Sequence, residues 1–407
     1  MPKIITDEKL IEHLLTRGVE NIYPDRESLK KLLLSGQKIR LYYGIDPTAP
    51  TLHLGHLVQL LKLKKFQALG HEVIILIGDF TAQIGDPTDK QALRKPLTHR
   101  QVLNNARGYK KQIGKILDLK KLNLRFLYNE KWTNKLNPQA LLALASYFTV
   151  SRLLARDMFQ ARIKAGREIH LHEFLYPIFQ AYDAVTLDVD LQLGGNDQMF
   201  NMLAGRDLMK KKKNKEMFVL TTKLLADPSG KKMGKSEGNV ITLADSPADM
   251  YGKVMSWPDE MIVPGFEILT DLSDEGLLEV KDGLQLGLAN PRDFKMKLAY
   301  EIVKIYQGTK AAATAEENFK RVFQEKQKPL TIPEIKIKDQ DGKIGVLDLF
   351  TQAGLTASNG EARRLIGEKA LRINDVLVAK VDLQVVILEQ GLLLQRGKKQ
   401  FIRASKK

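Results

Sequence analysis

Two of the seven histidines in this 407-residue chain stand three positions apart, in Leu52-His53-Leu54-Gly55-His56. On a helix, His53 and His56 share a face. In a first turn, free backbone N–H groups and the helix dipole favour an anion, and phosphate fits best. Gly55 carries no side chain, so a flat base or a ribose can lie against the backbone. Just upstream, Gly44-Ile45-Asp46-Pro47-Thr48 closes a strand in a turn where Thr48 can donate to a phosphate oxygen. Far downstream, Gly230 and Gly234 flank Lys231, Lys232 and Lys235, with Ser236 following. Such a loop can close over a triphosphate and neutralise charge that moves to a leaving pyrophosphate. Singly, each segment has a plainer reading: surface histidines or a His-x-x-His metal pair, and a solvated lysine loop. Metal is disfavoured because the chain has no cysteine and few histidines to complete a ligand set. Together, in this order, the two segments describe a site that grips a nucleoside triphosphate from both sides of a sheet.

The elements that must position these residues follow from pattern. Residues 38–44 read as a buried strand. Thr51 is the expected N-cap of an amphipathic helix over 52–69 that ends at Gly70. Residues 73–78 are a continuous apolar β run, so strand, helix and strand make a βαβ unit and a parallel sheet. The stretch 137–165 is rich in Leu and Ala and reads as helix; 184–193 reads as a strand that stops at Gly194-Gly195 and begins the second half of a doubly wound sheet. Beyond Ser246, prolines punctuate helical stretches, notably 293–306 and 311–324. Residues 326–341 lack periodicity and hold two prolines, as a linker does. After it come helices over 346–353 and 360–369 and β-like runs over 370–378 and 385–394.

Composition sets outer limits. At 407 residues, two or three domains are expected rather than one core. No apolar run approaches the roughly 18 residues of a membrane span, and the first residues carry acids and lack an apolar signal core. Absent cysteine removes disulfides and a thiol nucleophile, in keeping with a reducing compartment. The net charge of +16 favours a polyanionic partner such as nucleic acid, the plainer reading being a basic soluble surface.

The His-x-Gly-His and Lys-Met-Gly-Lys-Ser segments resemble the two signatures of class I aminoacyl-tRNA synthetases, and their surroundings, from Leu41 to the end of the chain, look like the bacterial tyrosyl-tRNA synthetases. The resemblance implies a Rossmann-like catalytic domain, ATP as substrate with Mg2+, L-tyrosine and tRNA(Tyr) as partners, a homodimer, no membrane association and a cytoplasmic location. It further implies that Gly44, Asp46, Thr48, His53, Gly55 and His56 serve ATP, with Lys232, Lys235 and Ser236 closing from the opposite side. Lys90 and Arg94, after Gly85-Asp86-Pro87, match mobile basic positions of that family.

For the amino acid, Tyr176, Gln180 and Asp183 have the spacing of the family's tyrosine-binding helix. Tyr176 and Gln180 would hold the α-ammonium with Asp86, while Asp183 and Tyr42 would meet the phenol. Without its flanking motifs the same helix reads as amphipathic, its polar residues facing water. In Gly194-Gly195-Asn196-Asp197-Gln198, glycine permits close approach of a ribose and Asp197 can accept from its hydroxyls; Gln198, as in related enzymes, would reach the carboxylate. Departures from the family pattern are Tyr43 for a frequent cysteine, Asn196 for a frequent serine, and Met-Gly-Lys-Ser in the loop.

The C-terminal segment resembles an S4 RNA-binding domain, with Arg363, Arg364 and Lys369 expected on one helix and Arg372, Arg396, Lys398 and Lys399 nearby. Such a patch contacts phosphates with little base reading. Lys210 to Lys213 and Lys215 read equally as an acceptor-end contact or as a soluble helix terminus. The expected divisions are 1–245, catalytic, with a helical dimer insertion at about 120–180; 246–326, a helical domain on the anticodon side; 327–342, a linker; and 343–407, S4-like. Rival readings are a tryptophanyl-tRNA synthetase, a synthetase-derived RNA-binding or splicing scaffold, and a nucleotidyltransferase acting on a small metabolite.

Overall fold

The computed structural model describes residues 3–86, 96–226, 240–324, 332–338, 343–387, 391–397 and 400–406. The chain divides into two compact units, Met1–Ala312 and Ala313–Lys407.

The first unit is built on six strands: β1 (Val19–Tyr23), β2 (Arg40–Ile45), β3 (Glu72–Ile77), β4 (Leu124–Tyr128), β5 (Leu191–Gly195) and β6 (Phe218–Thr222). Their order is β1-β6-β5-β2-β3-β4. All neighbours are parallel except β1, which runs antiparallel to β6. The chain winds outward from β2 through β3 to β4, then returns to lay β5 on the other side of β2. That reversal makes a crevice beyond the carboxyl ends of β2 and β5, where open α/β sheets bind ligands. Strand β3 shows why the sheet forms: Val73, Ile74, Ile75, Leu76 and Ile77 are buried on both faces, which suits a parallel strand under helices.

Three helices set the site. Helix α1 (Leu54–Ala68) follows β2, α2 (Leu171–Leu187) precedes β5, and α3 (Met199–Lys213) follows it. Side chains of α2 and α3 close one apolar core with the sheet, Ile178, Ala181 and Ala184 meeting Met202, Tyr42 and Ile74. The expected strand over 184–193 is corrected here. Ala181, Ala184 and Val185 bury at helical spacing, so α2 continues to Leu187. It stops where Asp188 turns left-handed, at φ 52°, and the strand starts only at Leu191. The expected helical stretch 137–165 forms as Pro138–Ala145, Val150–Leu154 and Asp157–Lys164. Helices from Pro247–Met255 to Pro291–Gln307 belong, up to residue 312, to this same unit.

The second unit holds β7 (Glu334–Ile337), β8 (Lys343–Gly345), β9 (Leu371–Ile373), β10 (Val376–Leu377), β11 (Gln384–Val386), β12 (Leu392–Arg396) and β13 (Gln400–Lys406). Five strands form a sheet in the order β10-β9-β12-β13-β7, and β8 pairs with β11. Helices α4 (Val346–Gln352) and α5 (Asn359–Gly367) pack Leu349, Phe350 and Leu365 against Leu371, Leu394 and Ala404. The stretch read as a linker supplies β7. Ile337 is buried in the core and β7 lies parallel to β13, a pairing whose partner is remote in sequence and invisible to local pattern.

Candidate active site

Those of the foreseen ATP and tyrosine residues that the structure describes gather toward the carboxyl ends of β2, β3 and β5. Helix α1 begins at Leu54 with His53 as its N-cap, not Thr51. The Nδ1 of His53 accepts from the Gly55 N–H at 3.1 Å, and Nδ1 of His56 accepts from the His53 N–H at 3.2 Å. The two rings lie 4.0 Å apart. A reciprocal cap of this kind answers two backbone donors and fixes both imidazoles at the helix mouth. The turn before it is pinned from outside: Asn105 donates to the Pro47 carbonyl, Tyr109 to that of Ala49, and Gln112 accepts from the Leu52 N–H. Thr48 is exposed in that turn, its N–H donating to the Asp46 carbonyl.

Lys232, Lys235 and Ser236 lie outside the described residues, as do Lys90, Arg94, Lys398 and Lys399. Both ends of the interval 227–239 are nonetheless placed. Before it, Thr222 at the end of β6 accepts from Gln59 of α1 at 2.6 Å. After it, Leu54 N–H donates to the Ile241 carbonyl and Leu243 N–H to that of Leu52, an antiparallel bridge centred on His53 and Thr242. The chain therefore leaves and re-enters beside the histidine helix.

A second cluster is acidic. Asp183 of α2 is buried; its Oδ2 accepts from Asn129 at 3.1 Å and its Oδ1 from the indole of Trp132 at 2.7 Å. Burial pushes its carboxyl up to about 7, against the lowering pull of those two donors. Tyr42 of β2 is buried and donates to the Gln180 carbonyl at 3.4 Å. Burial, with Asp183 adding to it, raises its phenol well above the ordinary value. Asp46, expected on the ATP side, accepts instead from the Tyr176 hydroxyl at 2.8 Å and from Thr81 at 2.7 Å. Burial lifts Asp46 to about 7, and Asp86 and Asp79 add to the rise. Tyr176 thus reaches Asp46 rather than Asp86; Asp86 accepts from Gln198 at 2.6 Å. Gly78 has no substitute beside this cluster, since a Cβ there would lie 1.9 Å from the Asp46 carboxyl.

Strand β5 delivers Gly195 and, in the turn after it, Asp197 and Gln198. Asn196 anchors the turn by accepting from Asn21 and Thr221, both at 3.0 Å. A Cβ on Gly195 would lie 2.6 Å from the Asp197 carboxylate, so close approach at that position requires glycine. Tyr42, Asp46, Asp86, Tyr176, Gln180, Asp183, Gln198, His53 and His56 are thereby brought to one end of one sheet. Asn129, Trp132, Thr81 and Asp79 complete the acidic cluster and were not foreseen. The only signal for Asn129 and Trp132 was their position just past an apolar run that forms β4.

The basic residues of the second unit are less uniform than expected. Arg363 and Arg364 are exposed on α5, but Lys369 lies past its end at φ 56°, so the three do not share a helix. Arg364 pairs with Glu368, Arg372 donates to the Asp375 carbonyl, and Arg396 is held by Glu361 and the Leu355 carbonyl. In the first unit, Lys213 and Lys215 are engaged by Asp188 and Asp190.

Known proteins share this fold. The family model described as "tRNA synthetases class I (W and Y)" matches residues 34–324. One described as "Tyrosine--tRNA ligase SYY-like C-terminal domain" matches residues 324–404. A tyrosine–tRNA ligase of Moorella thermoacetica is 43% identical over 394 residues, 96% of this chain and 94% of its own length. That of Thermotoga maritima is 40% identical over 403 residues, 98% of each. Among solved structures, the tyrosyl-tRNA synthetase of Archaeoglobus fulgidus complexed with L-tyrosine superposes with TM-score 0.60 at 22% identity, over 76% of this chain and all, 100%, of that one. A truncated mitochondrial tyrosyl-tRNA synthetase of Aspergillus nidulans gives TM-score 0.63 at 23% identity, over 77% and 94%. These likenesses carry the fold, and the full-length sequence matches carry the family: the chain belongs to the class I tRNA synthetases and, within them, to the tyrosine–tRNA ligases.

Proposed function

We propose that the chain activates L-tyrosine with ATP and then charges tRNA(Tyr). A carboxylate oxygen of tyrosine attacks the α-phosphorus, the bond to the β-phosphate breaks, and pyrophosphate leaves. The hydroxyl of the terminal adenosine of tRNA then attacks the acyl carbon and AMP leaves. No enzyme nucleophile is required, so the protein's task is positioning and charge stabilisation. Mg2+ arrives with ATP as part of the substrate.

One observation carries this reading best: the histidine cap at the mouth of α1 and both anchors of the lysine-bearing interval meet at one end of the sheet, as does the acidic cluster around Asp46 and Asp183. His53, His56 and Thr48, with Lys90, Arg94, Lys232, Lys235 and Ser236, serve the triphosphate; Gly44, Gly55, Gly195 and Asp197 serve the nucleoside. Tyr42 and Asp183 receive the phenol, while Asp86, Tyr176, Gln180 and Gln198 receive the amino-acid head. A carboxylate has about four lone-pair sites. Asn129 and Trp132 use two at Asp183, which leaves acceptor capacity for a hydroxyl that phenylalanine lacks. No described observation favours the tryptophan, scaffold or nucleotidyltransferase readings.

Pairing as a homodimer through the helical insertion at about 120–180 is supported by Leu142 and Leu171, which stand 71% and 78% exposed within it. The second unit is read as an S4-like module that contacts tRNA phosphates through Arg363, Arg364, Lys369 and Arg372. The location is cytoplasmic, in keeping with a translation role. Among the described residues no helix is long and apolar enough to cross a membrane.

ATP–pyrophosphate exchange tests the assignment, with tyrosine, phenylalanine and tryptophan supplied separately. Exchange with tyrosine alone is expected. Asp183→Ala abolishes it while the circular-dichroism spectrum stays native; near-parental exchange in that variant refutes the phenol pocket.

A further inference from the structure

Arg156, the residue ahead of helix Asp157–Lys164, is 6% exposed, and neither terminal nitrogen of its guanidinium has a hydrogen-bond acceptor among the described residues. Buried donors are almost always satisfied, and a buried cation without an acceptor is costly. Two aromatic rings hold it: the guanidinium carbon lies 5.5 Å from the centroid of Phe159 and 4.8 Å from that of Phe200. Stacking engages the flat face of a guanidinium and leaves its N–H edge for a planar anion. The arrangement is a fixed cation with its donors in reserve.

Its neighbourhood says which anion. Phe200 stands two residues after Gln198, whose amide donates to Asp86. Burial lowers the pKa of Arg156, and the groups that act against this are Asp86 and, after it, Tyr176. Those are two of the groups at the amino-acid head. An amino acid carries its ammonium and carboxylate on one carbon, so the cation beside the ammonium subsite is where the carboxylate falls. Without such a cation the carboxylate enters a field set by Asp46, Asp79, Asp86 and Asp183.

We infer that Arg156 receives the α-carboxylate of the amino-acid substrate and presents it to the α-phosphorus. The inference rests on the tyrosine-activating function proposed above. The carboxylate loses its charge when the acyl phosphate forms, so the contact is stronger with tyrosine than with the adenylate. It therefore appears in KM for tyrosine more than in kcat.

The test compares tyrosine with tyrosinol, which carries a CH2OH in place of the carboxylate. In the unaltered chain, tyrosine should bind at least about 10-fold more tightly than tyrosinol, the scale of a charge-assisted hydrogen-bonded contact. In Arg156→Met, exchange kinetics should show a KM for tyrosine raised about 10- to 100-fold. The inhibition constant of tyrosinol and the KM for ATP should stay within about twofold, and Arg156→Lys should fall between. Parallel weakening of tyrosine and tyrosinol marks a structural role and overturns the inference, as does an unchanged KM for tyrosine or a rise confined to ATP. Should Arg156→Met fail to fold, equal affinity of the unaltered chain for the two ligands still refutes it, and preference for tyrosine with the intermediate lysine variant supports it. If the unaltered chain shows no tyrosine-dependent exchange, the proposed function falls and this inference with it. Exchange with parallel weakening overturns the inference alone.

Discussion

Asp183 and Asp46 carry carboxyls raised far from their ordinary range. Each carboxyl is pushed to about 7, chiefly by burial and against the pull of its donors. The folded value for Asp183 is raised above the ordinary 3.8, so the folded state holds a proton there that the unfolded chain releases. Its contribution to stability is full below about pH 4 and is lost as pH rises through about 7. Asp183→Asn cannot lose that proton. The parent's thermal midpoint should therefore fall more steeply than the variant's between pH 5 and pH 8, although the variant starts lower. The lower start follows from geometry, because Asn129 and Trp132 donate to the two oxygens and an amide would turn N–H toward one of them. Parallel slopes in scanning calorimetry would refute the assignment of the high carboxyl to Asp183. Asp183 was visible through the resemblance of Tyr176, Gln180 and Asp183 to the family's tyrosine-binding helix, since the helical spacing alone reads as an amphipathic face. The sequence could not show the partners that set its charge, because they stand about 50 positions away and meet it only once β4 is in the sheet.

At the scale of the element, the mouth of α1 joins folding to function. Histidine is an unusual N-cap, yet here the His53 ring nitrogen replaces the hydroxyl or carboxylate that commonly accepts from the first turn, and the His56 ring nitrogen reaches back to the N–H of the cap residue itself. His53→Ala should remove a cap contact at a cost of about 0.5–2 kcal/mol, seen as a lower urea midpoint. His53→Asn should retain most of that stability, since Asn is among the best caps, while losing the imidazole offered to phosphate. The expected pattern is exchange activity reduced at least about 10-fold in both variants, with stability restored only in Asn. Activity that returns together with stability would make His53 a structural residue. Local pattern located the helix but misplaced its cap by two positions, because Thr51 satisfies the ordinary preference and the histidine pair does not. The over-long strand at 184–193 has a similar origin: Val185, Thr186, Leu187 and Val189 suit β structure singly. Packing of α2 against α3 decides for helix.

Across the whole molecule, two units each close a core of their own, and the first carries every described residue of the candidate site. The doubly wound sheet was legible because parallel strands buried on both faces read as apolar runs; the boundary ahead of the second unit was not. Residues 326–341 hold two prolines and show no helical period, yet β7 within them forms the edge of the C-terminal sheet. It pairs Glu334 through Ile337 with Arg403 through Lys406 of β13. A fragment of residues 313–407 keeps that edge, whereas one of residues 343–407 exposes the backbone of β13 and leaves a void where Ile337 was buried. Loss of a buried isoleucine side chain costs about 2–5 kcal/mol, a large share of the 5–15 kcal/mol that holds a small domain. The longer fragment should therefore melt cooperatively, and the shorter one should melt roughly 10 °C or more lower, or without a cooperative transition. Equal midpoints by circular dichroism would mean that β7 adds nothing to the fold and that the unit begins near residue 343, where pattern alone set it.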